Sequence, residues 1–481
     1  MPESPTKRDL RKIHDFLWEI PPSFRSDMKV PARIYASEAM LDELFKDRSL
    51  WQLVNLTTLP GIHRCAFAMP DVHEGYGSPV GGIAAVRAED GAISPGMCGY
   101  DINCGVRLLR SEASIQEIRS EIERLLAALY LEVPSGVGRG GRIKLSNREL
   151  DAVLERGVDE ARRRGWATEA DCEYCESGGR LPEARADAVS ERAKERGRDQ
   201  LGTIGAGNHF VEVQFVEEIF DEDSARAMGL FPGQVTILIH CGSRGLGHQV
   251  ATDYIQIMNA KLARYKIQLV DRELACAPFD SPEGQNYFAA MAASANFAWA
   301  NRQRISDEVR EAWRKVFNNR FGELTLVYDV AHNIVKKETY DGVPLLVHRK
   351  GATRAFPPNH PEIPAEYRRT CGQPVFIPGS MGTTSFVLAG VEQTMKEAFG
   401  SSCHGAGRTM SRKKARSLVR GDSLRRELEG KGIAIAAGSI SGLAEEAPLA
   451  YKNVENVVDV VHRAGIARKV ARLKPVGVMK G

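Results

Sequence analysis

Apolar residues recur at helical spacing in two places along the chain. Ser114 followed by Glu117 has the form of a capping box, and Ile115, Ile118, Ile122, Leu125, Leu126 and Leu129 then trace one face of an amphipathic helix. Val454, Val457, Val458 and Val461 trace a second, which Lys474-Pro475 is expected to end, leaving a short tail to Lys480. Five other stretches are short, rich in β-branched or aromatic residues and close to Gly or Pro: GGIAAV (81–86), HFVEVQFV (209–216), VTILIH (235–240), LTLVYDVAH (324–332) and PVFIP (374–378). These read as strands. Strands and helices alternate without a regular βαβ rhythm, which predicts a mixed-sheet α+β architecture and not a doubly wound parallel sheet. The polar stretch 139–198, with RRRGW, CEYCESGG and SERAKERGR, is expected to be a surface insertion or mobile region.

At 481 residues and 43% hydrophobic content, the chain can bury a substantial core. No apolar leader follows Met1 and no run of ~18 uncharged apolar residues occurs, so the expectation is a cytoplasmic protein with no membrane segment. Nine cysteines, an odd number thinly spread, argue against a disulfide framework. A net charge of +3 says little by itself, but eight Lys or Arg residues lie between Arg408 and Arg426 against the single Asp422. If helical, that segment presents a basic face.

Three histidines stand where strands begin or end: His209, His240 and His332. In GYDINCGVRLL, Asp101 and Cys104 lie three residues apart, close enough to reach one ion from a single turn. These five residues can hold two divalent cations if one ligand bridges, and a thiolate suits that role. The bland alternative has Asp101 capping a turn and Cys104 packing in a strand. Cys and His name zinc first, with manganese, iron and cobalt open. Cys172 and Cys175 resemble half a zinc site without its matching pair.

Four glycine turns combine small residues with basic ones: GSRGLG (242–247), RKGATR (349–354), PGSMGTTS (378–385) and HGAGR (404–408). Glycine lets backbone N–H groups approach an anion, and Arg244, Lys350, Arg354 and Arg408 make a polyanion site the joint explanation of turns that are individually ordinary. No GK[ST] ends a glycine loop and no GxGxxG opens a helix after a strand, which disfavours the familiar ATPase and dinucleotide folds. MPDVHEGYG adds Asp71, His73 and Glu74, where a carboxylate can serve as a general base, support a metal ligand or cap a turn. On these grounds His404 stays open between ligand, nucleophile and packing residue.

Read together, MPDVHEGYGSPVGG, GYDINCGVRLL, GTIGAGNHFVEV, HCGSRGLGHQV, VYDVAHNIVKKE, HRKGATRAFPP, PGSMGTTSFVLAG, CHGAGRTMSRKKA and KPVGVMKG resemble the RtcB family of RNA-splicing ligases, in family order from about residue 51 to the C-terminus. The resemblance implies one catalytic domain over 1–481, with mixed sheets surrounded by helices. It implies a GTP- and Mn²⁺-dependent ligase that joins a 2′,3′-cyclic phosphate or 3′-phosphate RNA end to a 5′-hydroxyl end, in tRNA splicing or RNA repair, with an archease-type activator as a further partner. Asp101, Cys104, His209, His240 and His332 fall on its ligands for two Mn²⁺ ions. Its guanylate site falls on Asn208, His209, Phe210, Val211, Glu212, His332, Asn333, Pro378, Gly379, Ser380, Met381, Ser385, His404, Gly405, Ala406, Gly407 and Lys480. Glu212 and Lys480 are then readers of the guanine edge, and His404 is the nucleophile that becomes guanylylated.

The same resemblance makes Arg408 and Arg412 phosphate contacts, gives Arg244, Lys350 and Arg354 RNA- or GTP-phosphate roles, and casts Asp71 as a general base for the attacking 5′-hydroxyl. Cys403 and Cys241 stand where Ser is expected beside His404 and His240, which points to oxidation sensitivity if the thiols are accessible. Two readings compete with the ligase: a dinuclear metal phosphoesterase that uses no GTP, and a metal-stabilised RNA-binding protein.

Overall fold

The computed structural model describes residues 4–136, 138 and 140–481. The capping box forms as its sequence predicts: the Ser114 backbone N–H and hydroxyl both donate to the Glu117 carboxylate, at 2.9 and 2.8 Å. The helix behind it is split into Ile115–Ile118 and Ile122–Glu132 by a 3-10 turn at Arg119–Glu121. Its apolar stripe survives the break, because Ile115, Ile118, Ile122, Leu125, Leu126 and Leu129 are all buried in one cluster.

All five predicted strands are present, within Val80–Arg87, Phe210–Ile219, Gln234–Cys241, Thr325–Ala331 and Pro374–Ile377. They belong to two large sheets. One has seven strands and runs, in spatial order, through Arg11–His14, Leu17–Ile20, Ala32–Tyr35, Ile62–His73, Val80–Arg87, Val343–Lys350 and Asn333–Tyr340. The other has eight and runs through Thr325–Ala331, Gly105–Ser114, Gln234–Cys241, Phe210–Ile219, Ala467–Lys480, Ser385–Gly390 and Pro374–Ile377, with Ala434–Ala437 pairing in parallel on Ala467–Lys480. Its other pairings are antiparallel. The architecture is the mixed-sheet α+β one expected.

The C-terminal expectation needs correction. The valine helix is Val454–Arg463, and the expected tail is a 14-residue strand, Ala467–Lys480, inside the larger sheet. Pro475 cannot donate to a ladder, and the pairing register shifts between Pro475 and Gly477 to absorb it. The polar stretch also differs from expectation. Its described residues, from 140 to 198, form helices that include Asn147–Arg156 and Glu191–Gly197. Leu150, Val153, Leu154 and Val158 are buried in the main core with residues of the 36-residue helix Pro282–Phe317. A polar composition hid an apolar stripe at helical spacing. Residue 139 lies outside the described residues. Among the described residues, no helix is long and apolar enough to cross a membrane.

Candidate active site

Antiparallel register explains why distant histidines meet. Phe210 and Val106 both pair with His240, and Gly105 pairs with Ala331. Consequently Cys104 and His209, each one residue before its strand, His240 near the end of its strand and His332 just after its own all emerge at one sheet edge. Buried Arg302 pins that edge. It is paired with Asp329 and donates to the carbonyls of Asn103 (2.7 Å) and Cys241 (2.9 Å).

The ligand atoms of Asp101, Cys104 and His209 form one tight group, and those of Cys104, His240 and His332 form another; within each group, all lie within 4.8 Å of one another. Cys104 belongs to both. Its Sγ is 3.4 Å from His209 Nε2 and 3.3 Å from His240 Nε2, and the Nε2 atoms of His240 and His332 are 3.4 Å apart. His209 donates Nδ1–H to the Ile204 carbonyl at 3.1 Å, which turns its Nε2 lone pair inward. Asp101 Oδ2 lies 2.8 Å from His209 Nε2, and Asp101 Oδ1 accepts from the Ser243 backbone at 3.0 Å. Burial alone favours the neutral acid, but His209 beside it holds Asp101 down to about 2. Burial, reinforced by the Asp101 charge, pushes the Cys104 thiol up to about 12. A bound cation reverses that preference, since a coordinating thiol is deprotonated. The donor set therefore fits two cations sharing one thiolate, and its mixture of N, S and O does not name the metal.

The cluster opens into a cleft of about 710 Å³ lined by Asn208, Phe210, His240, His332, Asn333, Pro378, Gly379, His404, Gly405, Ala406, Gly407, Arg408 and Arg412, among others. The His404 ring centroid lies 4.8 Å from that of His332. Asp71, on strand Ile62–His73, is fully buried behind it. One Asp71 oxygen, Oδ2, accepts from His404 Nδ1 at 2.6 Å, the His404 backbone at 3.0 Å and the Gly405 backbone at 3.3 Å. Burial opposes ionisation of this carboxyl, but the His404 imidazole and the donated hydrogen bonds keep it below the usual carboxylate range. The expected role of Asp71 as base toward an incoming hydroxyl does not match this geometry, since its carboxylate is turned onto His404 and fixes Nδ1 as the ring nitrogen that carries the proton.

A chain of strong contacts surrounds the rest of the expected nucleotide site. Arg408 Nη1 and Arg412 Nε donate to Glu446 at 3.1 and 3.0 Å, and Tyr451 donates to the same carboxylate. Burial pushes Glu446 up, but Lys480, Arg412 and Arg408 together bring it down to about 2. Lys480 is buried over the Phe210 ring at 5.7 Å. Glu212 is buried too, and burial pushes its carboxyl up to about 8, against a hydrogen bond from Gln214 and the charge of Lys480. Ser385 Oγ accepts from Gly379 N at 3.2 Å and from Gln214 Nε2 at 3.0 Å, so it braces the 378–385 turn. Val211 and Met381 face packed clusters, not the cleft: strand alternation sends Val211 to the opposite face from Phe210 and Glu212. Ser380 donates its backbone N–H to Thr383 within that turn.

The expected phosphate ligands divide. Arg354 is completely buried and donates to Glu362 at 2.6 Å and Gln373 at 3.1 Å, so it is a core ion-pair residue and not a cleft contact. Lys350 lines the cleft, but its ammonium donates to the carbonyls of Tyr76, Ser78 (2.9 Å) and Gly96 (3.3 Å), and burial brings it down to about 7. Arg244 heads helix Arg244–Lys261 and reaches Thr203 Oγ1 (3.1 Å) and Gln200 (3.3 Å) beside the metal cluster. Cys241 and Cys403 are fully buried, which removes the accessibility that oxidation requires. Cys175 is buried, Cys172 is partly exposed, and neither belongs to a metal-holding group among the described residues.

The family model described as tRNA-splicing ligase RtcB matches residues 52–481. The chain belongs to the RtcB family. It is 53% identical over 478 residues to the tRNA-splicing ligase RtcB of Thermococcus kodakarensis, covering 98% of this chain and 99% of that protein. The corresponding protein of Archaeoglobus fulgidus is 52% identical over 478 residues, with the same coverage, and that of Methanococcus maripaludis is 47% identical over 481 residues, covering 99% of this chain and all of that protein. Within this RtcB site, four supporting residues escaped the sequence reading: Arg302, Glu446, Tyr451 and Lys452. Lys452 donates its backbone N–H to the Gly407 carbonyl (2.9 Å) and its ammonium to the carbonyls of Pro70 (3.1 Å) and Val72 (2.6 Å), on either side of Asp71. Arg302, Glu446 and Lys452 reach partners remote in sequence, which no local motif marks, although Tyr451 and Glu446 are near neighbours in the chain.

Proposed function

We propose that this chain is a GTP- and Mn²⁺-dependent RNA ligase that joins a 2′,3′-cyclic phosphate or 3′-phosphate end to a 5′-hydroxyl end, in tRNA splicing or RNA repair. The observation that carries the reading is the Asp71–His404 pair, set in the same cleft as a metal cluster that shares Cys104. Held by Asp71 at Nδ1, His404 presents Nε2 to the α-phosphorus of GTP. The P–N bond forms as the bond to pyrophosphate breaks, and the Asp71 carboxylate balances the positive charge that develops on the ring. A cyclic end is first opened by water, which breaks the bond from phosphorus to the 2′-oxygen; an oxygen of the resulting RNA 3′-phosphate then attacks the same GMP phosphorus and releases His404. The 5′-hydroxyl attacks the activated 3′-phosphate, gives up its proton to solvent, forms the phosphodiester and expels GMP. Asp101, Cys104, His209, His240 and His332 would hold two Mn²⁺ ions, which supply charge neutralisation and alignment for the phosphate oxygens. Glu212 and Lys480 are assigned to the guanine edge, and Arg408 and Arg412 to phosphates. The basic helix Arg412–Leu418 is assigned to the RNA backbone, with Arg420, Arg425 and Arg426 beyond it. An archease-type activator and a cytoplasmic location belong to the same reading.

Incubation with labelled GTP and Mn²⁺ is expected to leave an acid-labile, alkali-stable guanylate on the protein. His404→Ala should abolish it, and Asp71→Asn should slow its formation on the order of 100-fold with the fold intact. A guanylate that persists in His404→Ala, or release of cyclic phosphate ends without GTP and without any covalent species, would transfer the case to the phosphoesterase reading.

A further inference from the structure

Beside the metal cluster lies an aromatic assembly that the chemistry above does not use. Tyr100 lines the cleft and immediately precedes Asp101. Its ring stacks on His248, with centroids 4.8 Å apart and planes 25° apart, and meets the Tyr76 ring edge-on at 5.1 Å. Tyr76 and Tyr100 are half-buried, and His248 is exposed on helix Arg244–Lys261. Tyr100 covers one face of the His248 ring, and the residue is nonetheless exposed. The surroundings are basic: exposed Arg196 is held next to His248 by donating to Gln249 at 2.9 Å, and Arg244 begins the same helix.

We propose that Tyr100 and His248 form a stacking platform for the nucleobase of an RNA terminal nucleotide whose phosphate or hydroxyl end reaches the metal cluster. The inference rests on the ligase reading, and it adds to it the place where a base is held. Three properties support a nucleobase. The rings already share one stacking direction, so a further flat ring extends the pile without reorganising it. Arginines flank the platform, which suits a strand whose backbone is charged and whose bases are flat. A stacking contact tolerates any base, in keeping with an enzyme that acts on an end and not on a sequence.

The test uses the full chain. Binding of 5′-hydroxyl and 3′-phosphate RNA oligonucleotides is measured by fluorescence anisotropy, each with a normal or an abasic terminal nucleotide, for wild type, His248→Ala and Tyr100→Phe. Guanylylation by GTP without RNA is measured in parallel. His248→Ala should bind at least one of the two normal ends about 5- to 150-fold more weakly, the range for losing one stacked base, while guanylylation stays at the wild-type rate. The abasic version of that end should weaken wild type by a similar factor and add little in His248→Ala, since both changes remove the same contact. Tyr100→Phe keeps the ring and should bind as wild type does. Unchanged binding of both ends by His248→Ala, or an abasic penalty as large in the variant as in wild type, overturns the platform. A wild type that binds RNA in this pattern yet never becomes guanylylated overturns the ligase reading and leaves the platform standing.

Discussion

At the scale of single residues, the site depends on where each proton is held. Asp71 accepts the His404 Nδ1–H hydrogen bond at 2.6 Å, so a fully buried carboxylate sets the tautomer of the imidazole that lines the cleft. Glu212 illustrates the opposite tendency. Burial raises its carboxyl from the ordinary 4.5 to about 8. Between those values the folded protein keeps a proton that the unfolded chain has lost, so folding takes up a proton and stability falls as pH rises through the window. Thermal melts of wild type from pH 5 to 8 should therefore show a decline that is flatter in Glu212→Gln. Parallel slopes for the two chains would reject the assignment.

Secondary-structure elements place these residues by ending in the right places. Strands Gly105–Ser114, Phe210–Ile219, Gln234–Cys241 and Thr325–Ala331 lie side by side, and their common end supplies the Cys and His residues of the candidate metal site. The 404–408 turn arrives from another part of the fold and must lie directly on the strand that bears Asp71. Gly407 makes that approach feasible: its φ is +76°, and a Cβ there would collide with the Asp71 backbone carbonyl. Gly407→Ala should cost about 1–2 kcal/mol or more from backbone strain alone. It should also separate Asp71 from His404, so both the melting temperature and the guanylylation rate are expected to fall; an alanine variant with wild-type guanylylation would show that this close approach is not needed.

For the whole molecule, the Asp/Cys/His cluster that could hold metal ties two sheets and a long helix together. Asp101, Cys104, His209 and His240 belong with the eight-stranded sheet, His332 joins it to the seven-stranded one through Asn333–Tyr340, and Arg302 braces the edge from helix Pro282–Phe317. Cations that bind the folded form and not the unfolded chain stabilise it by about 2.7 kcal/mol per site at a hundredfold excess over Kd. Titrating metal-free protein with Mn²⁺ should raise the melting temperature and saturate at two equivalents. Cys104→Ala should lose most of that rise, because both groups of ligands share this thiolate. A variant that kept the full shift would refute the bridge.

By itself, the sequence determined the local elements and the inventory of chemistry. Periodicity and β-branched runs located both amphipathic stripes and five strands, and residue type picked out the five side chains that the fold brings together and the glycine turns, because helical and strand patterns are written in near neighbours. The polar helices of 140–198 were misread because composition masked their apolar stripe, and the C-terminal strand because Pro475 resembles a terminator until a register shift accommodates it. Only the tertiary structure decided who meets whom. Asp71 and His404 are 333 residues apart, Arg302 reaches Asn103 across 199, and Arg354 turns inward to Glu362 although its glycine turn resembles an anion loop. Such pairings follow from sheet register and from which chain segments cross at one edge, and these are set by burial over the entire core, not by any short run of residues.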